Sequence, residues 1–194
     1  MGRMTCAIAA FAVVSIVFLG CSTNYMTMRQ NMFSGRRALE EGDYARAEQL
    51  FLRSAQAEPS PQAYAFAATA AYKANDLPNA ERFVDEALRL DGNSYAYMRM
   101  LAYRSLILLK EGRSQEGVQA LDNYLSYGNY YPMPSYGEVR QILSSGAVYL
   151  PRLEQLLDDE VRTYESDYAQ YYGEGTGYLA EKYYGPVGHT VPER

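Results

Sequence analysis

The sequence predicts an all-α protein built as a stack of helix pairs, and three observations carry that prediction. The first is internal repetition: Gly42, Asp43, Ala47, Glu48, Phe51 and Ser54 recur as Asn75, Asp76, Ala80, Glu81, Val84 and Ala87, at a constant offset of 33 residues. A degenerate third copy opens at Glu111-Gly112 and sets Gly117, Leu121 and Tyr124 a further 37 residues on from Ala80, Val84 and Ala87. The second is helix punctuation, with Asp43 and Asp76 suited to cap exposed amides and Pro78 in a first turn, where its missing N–H costs little. The third is a stripe of Leu153, Leu157, Val161, Tyr164, Tyr168 and Tyr171, spaced four or three residues apart along about 30 Å of helix.

At the amino terminus Arg3 is followed by an uncharged run from Met4 to Gly20, which ends at Cys21. The run falls short of the ~20 apolar residues a membrane span needs, and it has the layout of a secretory signal. Phe18-Leu19-Gly20-Cys21 resembles the lipobox of bacterial lipoproteins, with Phe18 where that family usually carries Leu. The resemblance implies cleavage before Cys21, a diacylglycerol on its thiol and an acyl group on the new amine. Each buried methylene contributes about 0.8 kcal/mol, so several such chains make a lasting anchor. Ser22 after the cysteine, rather than Asp, implies the outer membrane and its periplasmic side. An ordinary secretory signal, or a short apolar anchor with an incidental cysteine, is the competing reading. The expected division is a signal peptide over 1–20, a lipidated tether over 21–27, repeats over 28–127, a Tyr-rich helical extension over 128–184 and a loose tail over 185–194.

In the first pair, helix A carries Met32, Phe33 and Leu39 and ends near Gly42, and helix B turns Leu50, Phe51 and Ser54 inward. In the second pair Val84, Ala87, Leu88 and Leu90 form the apolar face of helix B. Burying one Phe or Leu contributes about 1.5–3 kcal/mol, so a lone pair cannot offset its ordering entropy and neighbours must stack. A small residue, three residues and a large apolar one, closed by Pro59, Gly92 or Asn129, resembles the tetratricopeptide repeat. The family's small position in the first helix is met by Gly35, Ala68 and Ser105, and its Ala-x3-Phe by Ala47/Phe51, Ala80/Val84 and Gly117/Leu121. Tyr64 stands where the family has Trp, which this chain lacks.

That resemblance implies an α-α superhelix of about three pairs plus a C-terminal helical extension, with a groove along the A helices. It puts Arg29, Met32, Arg36, Tyr72, Lys73, Arg99, Leu106 and Lys110 among the groove positions. Those positions carry five bases against one acid, Glu40, on a chain of net charge -5. The imbalance predicts a groove for a peptide of acidic or carboxylate character; a solvated face whose cations have no partner is the alternative. The paired Lys and Asn of chaperone-binding repeats are missing.

Beyond Ser126 a turn-rich connector precedes Ser135 and Glu138, spaced as a capping box, then Val139, Ile142 and Leu143 inward and Gly146 past the helix end. Pro151 suits the start of the striped helix. That helix reads as a cap on the open end of the repeats, or as a docking or self-association seam whose interface residues are Tyr164, Tyr168 and Tyr171. Asp158, Asp159 and Glu160 are consecutive and read as a solvated face rather than a metal cluster. Gly173 to Gly177 has neither a preceding strand nor a following Lys-Ser/Thr, so it reads as a linker rather than a phosphate loop. His189, the one histidine, lies in the tail.

Composition excludes several classes. Net charge -5 argues against nucleic acid. Cys6 and Cys21, both in the first 21 residues, supply neither a disulfide framework nor a metal site. No nucleophile-base constellation is visible, so no enzyme and no cofactor are expected. Twenty Tyr against six Phe predict many half-buried phenols. The expectation is a lipid-anchored protein-binding scaffold resembling, in design, pilotins of pilus and secretion systems or the accessory lipoprotein of outer-membrane barrel assembly. Its partner would then be a secretin, a pilus component or a barrel-assembly component. A structural envelope lipoprotein that self-associates or contacts the cell wall is the alternative.

Overall fold

Three turns built alike set the architecture. The computed structural model describes residues 24–90, 96–127, 134–146 and 148–172, with side chains as far as residue 168. In it Gly42, Asn75 and Gly112 sit at φ 78°, 64° and 78°. Each donates its N–H to the carbonyl three residues back, at Leu39, Tyr72 and Leu109; the next residue, Asp43, Asp76 or Arg113, donates to Ala38, Ala71 or Leu108. That paired closure ends a helix and needs one left-handed residue, which Gly adopts freely and Asn tolerates. The same three residues then accept from Ala47, Ala80 and Gly117 and so start the following helix.

The result is α1 over 24–40, α2 Tyr44–Ala57, α3 Pro61–Lys73, α4 Leu77–Leu90, α5 Tyr97–Lys110, α6 Ser114–Tyr127, α7 Tyr136–Ser145 and α8 Leu150–Tyr172, with no strand among the described residues. The fold is all-α. Helices α1 to α6 form three hairpins, and α3 packs on both α2 and α4, as α5 packs on α4 and α6. One apolar cluster runs from Met32 in α1 to Tyr164 in α8.

Local chemistry explains most of the boundaries. Asp43 Oδ1 accepts the Arg46 N–H at 3.2 Å and Asp76 Oδ1 that of Asn79 at 3.3 Å, as the capping argument predicts. Ser60 caps α3 in the same way, with Pro61 in the first turn. Tyr64 lies with its ring 6.4 Å from that of Phe83, the plug expected where tryptophan is missing.

The small positions are small because helices touch there. A methyl group on Gly35 would lie 2.7 Å from the Phe51 ring, and one on Gly117 2.6 Å from Leu109 Cγ. Phe51 has no room to yield, being fully buried and stacked on Phe66 at 5.3 Å. Gly35→Ala is therefore expected to cost stability even though Ala is the better helix former by about 1 kcal/mol. Overpacking costs about 1–3 kcal/mol, leaving a net loss of about 1 kcal/mol, to be read as a drop in thermal midpoint of about 2–4 °C.

The structure departs from the sequence reading in several places. Helix α1 is already formed at residue 24, inside the segment expected to be a tether. It is held by the Ser54 hydroxyl, which donates to the Met28 carbonyl at 3.1 Å, and by Asn31, which donates to that of Thr27. The capping box at Ser135 is not formed: its side chain makes no cap bond, and Glu138 instead takes a two-pronged bond from Arg152 at 2.8 Å. Gly146 does close α7 in the left-handed region. Of the three consecutive acids on α8 only Asp159 is exposed; Glu160 is 2% exposed. Residues 1–20, Cys21, Gly92, Asn129, the Gly173–Gly177 linker, His189 and the Tyr171 side chain lie outside the described residues.

Candidate peptide-binding face

The A-helix face, where the groove was expected, is occupied by the chain's own last helix. Helix α8 packs on α5 and runs antiparallel to α3 and α5. Glu154, early in α8, meets the end of α3, and Glu165, late in α8, meets the start of α5. Its stripe works as the spacing predicts: Leu153, Leu157 and Val161 are fully buried, Tyr164 nearly so, and Tyr168 packs against the same cluster.

Beside that stripe lies a second, acidic one. The Lys73 ammonium bonds both Glu154 and Asp158. Tyr72 donates to Glu154 at 3.0 Å and Tyr103 to Asp158 at 2.6 Å. Arg99 donates from Nε and Nη2 to the two oxygens of Glu165 at 2.7 and 2.8 Å, and from Nη1 to the Thr69 hydroxyl at 3.1 Å. Its guanidinium also lies 4.2 Å from the centre of the Phe66 ring. The expected affinity of this face for carboxylates is thus satisfied within the molecule, by a helix that carries them at positions 154, 158 and 165.

Ionisation follows the packing. Burial lowers the readiness of Lys73 to hold its proton, but Asp158 and Glu154 outweigh it and move the group upward, so it stays charged. Burial, then the adjacent carboxylates, push the Tyr72 and Tyr103 hydroxyls well above their ordinary value, and both remain donors.

The eight groove residues therefore divide. Tyr72, Lys73 and Arg99 hold α8, and Lys110 lies over the Tyr72 ring at 4.4 Å. Met32 and Leu106 are buried in the core. Arg29 stands apart, over Tyr25 near the start of α1. Arg36 borders open space, its guanidinium 4.3 Å from the Phe66 ring centre.

That space is a cleft of about 430 Å³ between α1 and α8, lined by Arg36, Leu39, Phe66, Tyr103 and Arg162, with Lys73, Arg99, Asp158 and Glu165 among its other walls. The volume lies in the range of ligand and side-chain pockets. Arg162, which the sequence reading missed, carried a signal: it stands eight residues after Glu154 and four after Asp158, on the same helical stripe.

The interface tyrosines form part of a ring ladder. Tyr97 meets Tyr127 at 5.3 Å, Tyr127 meets Tyr164 at 6.2 Å, and Tyr164 meets Tyr168 at 6.2 Å. The Tyr127 and Tyr164 hydroxyls bond at 2.9 Å. Tyr164 is thus committed to the α6–α8 contact, while Tyr168 keeps partial exposure.

One carboxyl stands out electrostatically. Glu160 accepts from Tyr124 and from Ser135, yet burial outweighs these bonds and raises it above its ordinary 4.5. Its Oε1 and the neighbouring Tyr136 hydroxyl are buried with no hydrogen-bond partner among the described residues. Glu160 does not border the cleft, so it is placed to affect stability rather than chemistry. An acid held above its unfolded value favours folding fully below that value, and the contribution fades as pH rises through the folded pKa. Glu160→Gln supplies an N–H without a charge, and it is expected to raise stability at pH 7 by about 1 kcal/mol. The gain should vanish below about pH 4.5, where both states of the parent protein are protonated; urea titrations at the two pH values measure this.

Among the described residues no His, Cys, Asp and Glu cluster could hold a metal ion, and no helix is long and apolar enough to cross a membrane. Neither a protein-family model nor a curated protein sequence matches the chain.

Proposed function

We propose that this chain is a lipid-anchored scaffold of the bacterial envelope, whose tetratricopeptide-like helix pairs hold an acidic segment of a partner protein in the cleft between α1 and α8. The observation that carries this reading is the way α8 lies on the A helices. Lys73 and Arg99 already bind carboxylates from a helix, and Arg36 and Arg162 border the part of the same face that α8 leaves open. The three like turns support the repeat assignment, and the apolar segment ending at Cys21 supports the anchor on the periplasmic side of the outer membrane. By resemblance in design, the partner is a secretin, pilus or barrel-assembly component. The scaffold has no catalytic role and needs no cofactor.

Affinity capture from detergent extract tests the reading. The intact protein should retain an envelope partner that Arg36→Glu with Arg162→Glu loses, and equal retention by both would remove the cleft from consideration. Labelled palmitate should enter the protein and be lost in Cys21→Ser. The tyrosine ladder from Tyr97 to Tyr168 favours one second reading, self-association of a structural envelope protein, which capture of further copies of this chain alone would support.

A further inference from the structure

We propose that the outer face of α1 rests on an anionic lipid surface, so that the bilayer closes the first end of the helix stack; the inference builds on the anchor reading. Only Ser22 and Thr23 separate Cys21 from residue 24, where the helix is already formed. Three residue steps span at most about 11 Å, so an acyl group on Cys21 brings the start of α1 to the headgroups. An apolar segment left uncleaved would do the same.

What α1 presents there suits a headgroup layer. Tyr25 is 45% and Met26 62% exposed, two of the few large apolar side chains so placed. Tyrosine belongs at that depth, its ring among acyl carbons and its hydroxyl among headgroups. The Arg29 guanidinium lies 5.6 Å from the Tyr25 ring centre. Met26, Gln30 and Arg37, all exposed, fall on one face at spacings of four and seven residues. The charges of α1 are Arg29, Arg36, Arg37 and Glu40; Arg36 and Glu40 border the cleft, which leaves Arg29 and Arg37 for the outer face, on a chain of net charge -5. The Arg37 side chain is 71% exposed, and its one ion pair among the described residues is with Glu41, a turn further on.

The place of α1 in the stack points the same way. A helical repeat ends either in a polar outer face or under a cover, because each unit completes its core on its neighbours. Among the described residues no helix precedes α1, whereas the other end is covered by α7 on α6. The face that the described residues leave uncovered is apolar at its start and carries Arg29 and Arg37 beyond it, and each arginine near an anionic leaflet strengthens attachment several-fold.

Two measurements test this. Cys21→Ser over residues 21–194, which has no acyl chain, should sediment with vesicles of one part phosphatidylglycerol to three parts phosphatidylethanolamine and not with phosphatidylcholine alone. Arg29→Gln with Arg37→Gln should weaken that binding about tenfold with an unchanged circular-dichroism melt; binding indifferent to lipid charge or to the two arginines overturns the proposal. In the acylated protein on the same vesicles, a nitroxide at Met26→Cys should be shielded from an aqueous nickel chelate while one at Val118→Cys is not. Both labels open to the chelate, with palmitate present on Cys21, would leave the anchor standing and sink the membrane-facing α1. Absence of palmitate would sink the anchor, and vesicle binding of the unacylated chain then decides the face by itself.

Discussion

Arg99→Ala is expected to lower folding stability by about 3–5 kcal/mol, the usual cost of removing one partner from a buried ion pair. The Glu165 side chain is 1% exposed and receives both prongs of the guanidinium, so the substitution leaves a carboxylate in the interior with its two donors gone. Thr69 loses a donor and Phe66 a cation over its ring in the same step. For a chain of this length the thermal midpoint should fall by about 6–20 °C. Arg99→Met combined with Glu165→Leu should recover most of the loss, since the pair's own contribution is small beside the penalty of orphaning one member. A single variant within about 1 kcal/mol of the parent would show that Glu165 finds solvent, and that α8 is loosely seated.

Leu157→Ala should cost about 2–5 kcal/mol, and where that loss appears matters as much as its size. Leu157 is fully buried in the middle of the α8 stripe, and its neighbours Leu153 and Val161 are equally enclosed. Side chains of this kind contribute about 1.5–3 kcal/mol each, which makes α8 a wall of the core rather than a lid lying on it. Amide exchange should therefore accelerate in α3 and α5 together with α8. Acceleration confined to α8 would mean that the helix detaches alone, and the A-helix face would then be open to a partner along its full length.

These two outcomes bear on why the groove was only half legible. The cations at Lys73 and Arg99 and the acids at Glu154, Asp158 and Glu165 were all visible, and the first set led to the expectation of a groove for an acidic peptide. What could not be read was that the second set answers it, because pairs separated by 66 to 85 residues have no periodicity to betray them. The solvated reading of Asp158 to Glu160 failed for the same reason. Three consecutive helical residues do point in different directions, but here only one of those directions is solvent, the others being α5 with α3 and α6 with α7.

Local rules fared better where they were in command. The 33-residue offset, the caps at Asp43 and Asp76, the end of the first helix near Gly42 and the apolar stripe of α8 all stand in the structure as spacing and backbone sterics require. Ser135 and Glu138 show the limit: the capping spacing is present, but Arg152 and Glu160 compete for the same side chains and win.

The chain by itself determined that helices form, where they turn, and which side of each is apolar, because those are matters of neighbours three to five residues apart. Only the tertiary structure decided that α8 lies across the A helices, that Arg36 and Arg162 border the space it leaves, and that Glu160 is buried without a full set of partners. Such pairings depend on which of several compatible apolar faces meet, and desolvation and Coulomb attraction act on those groups only once that choice has brought them together.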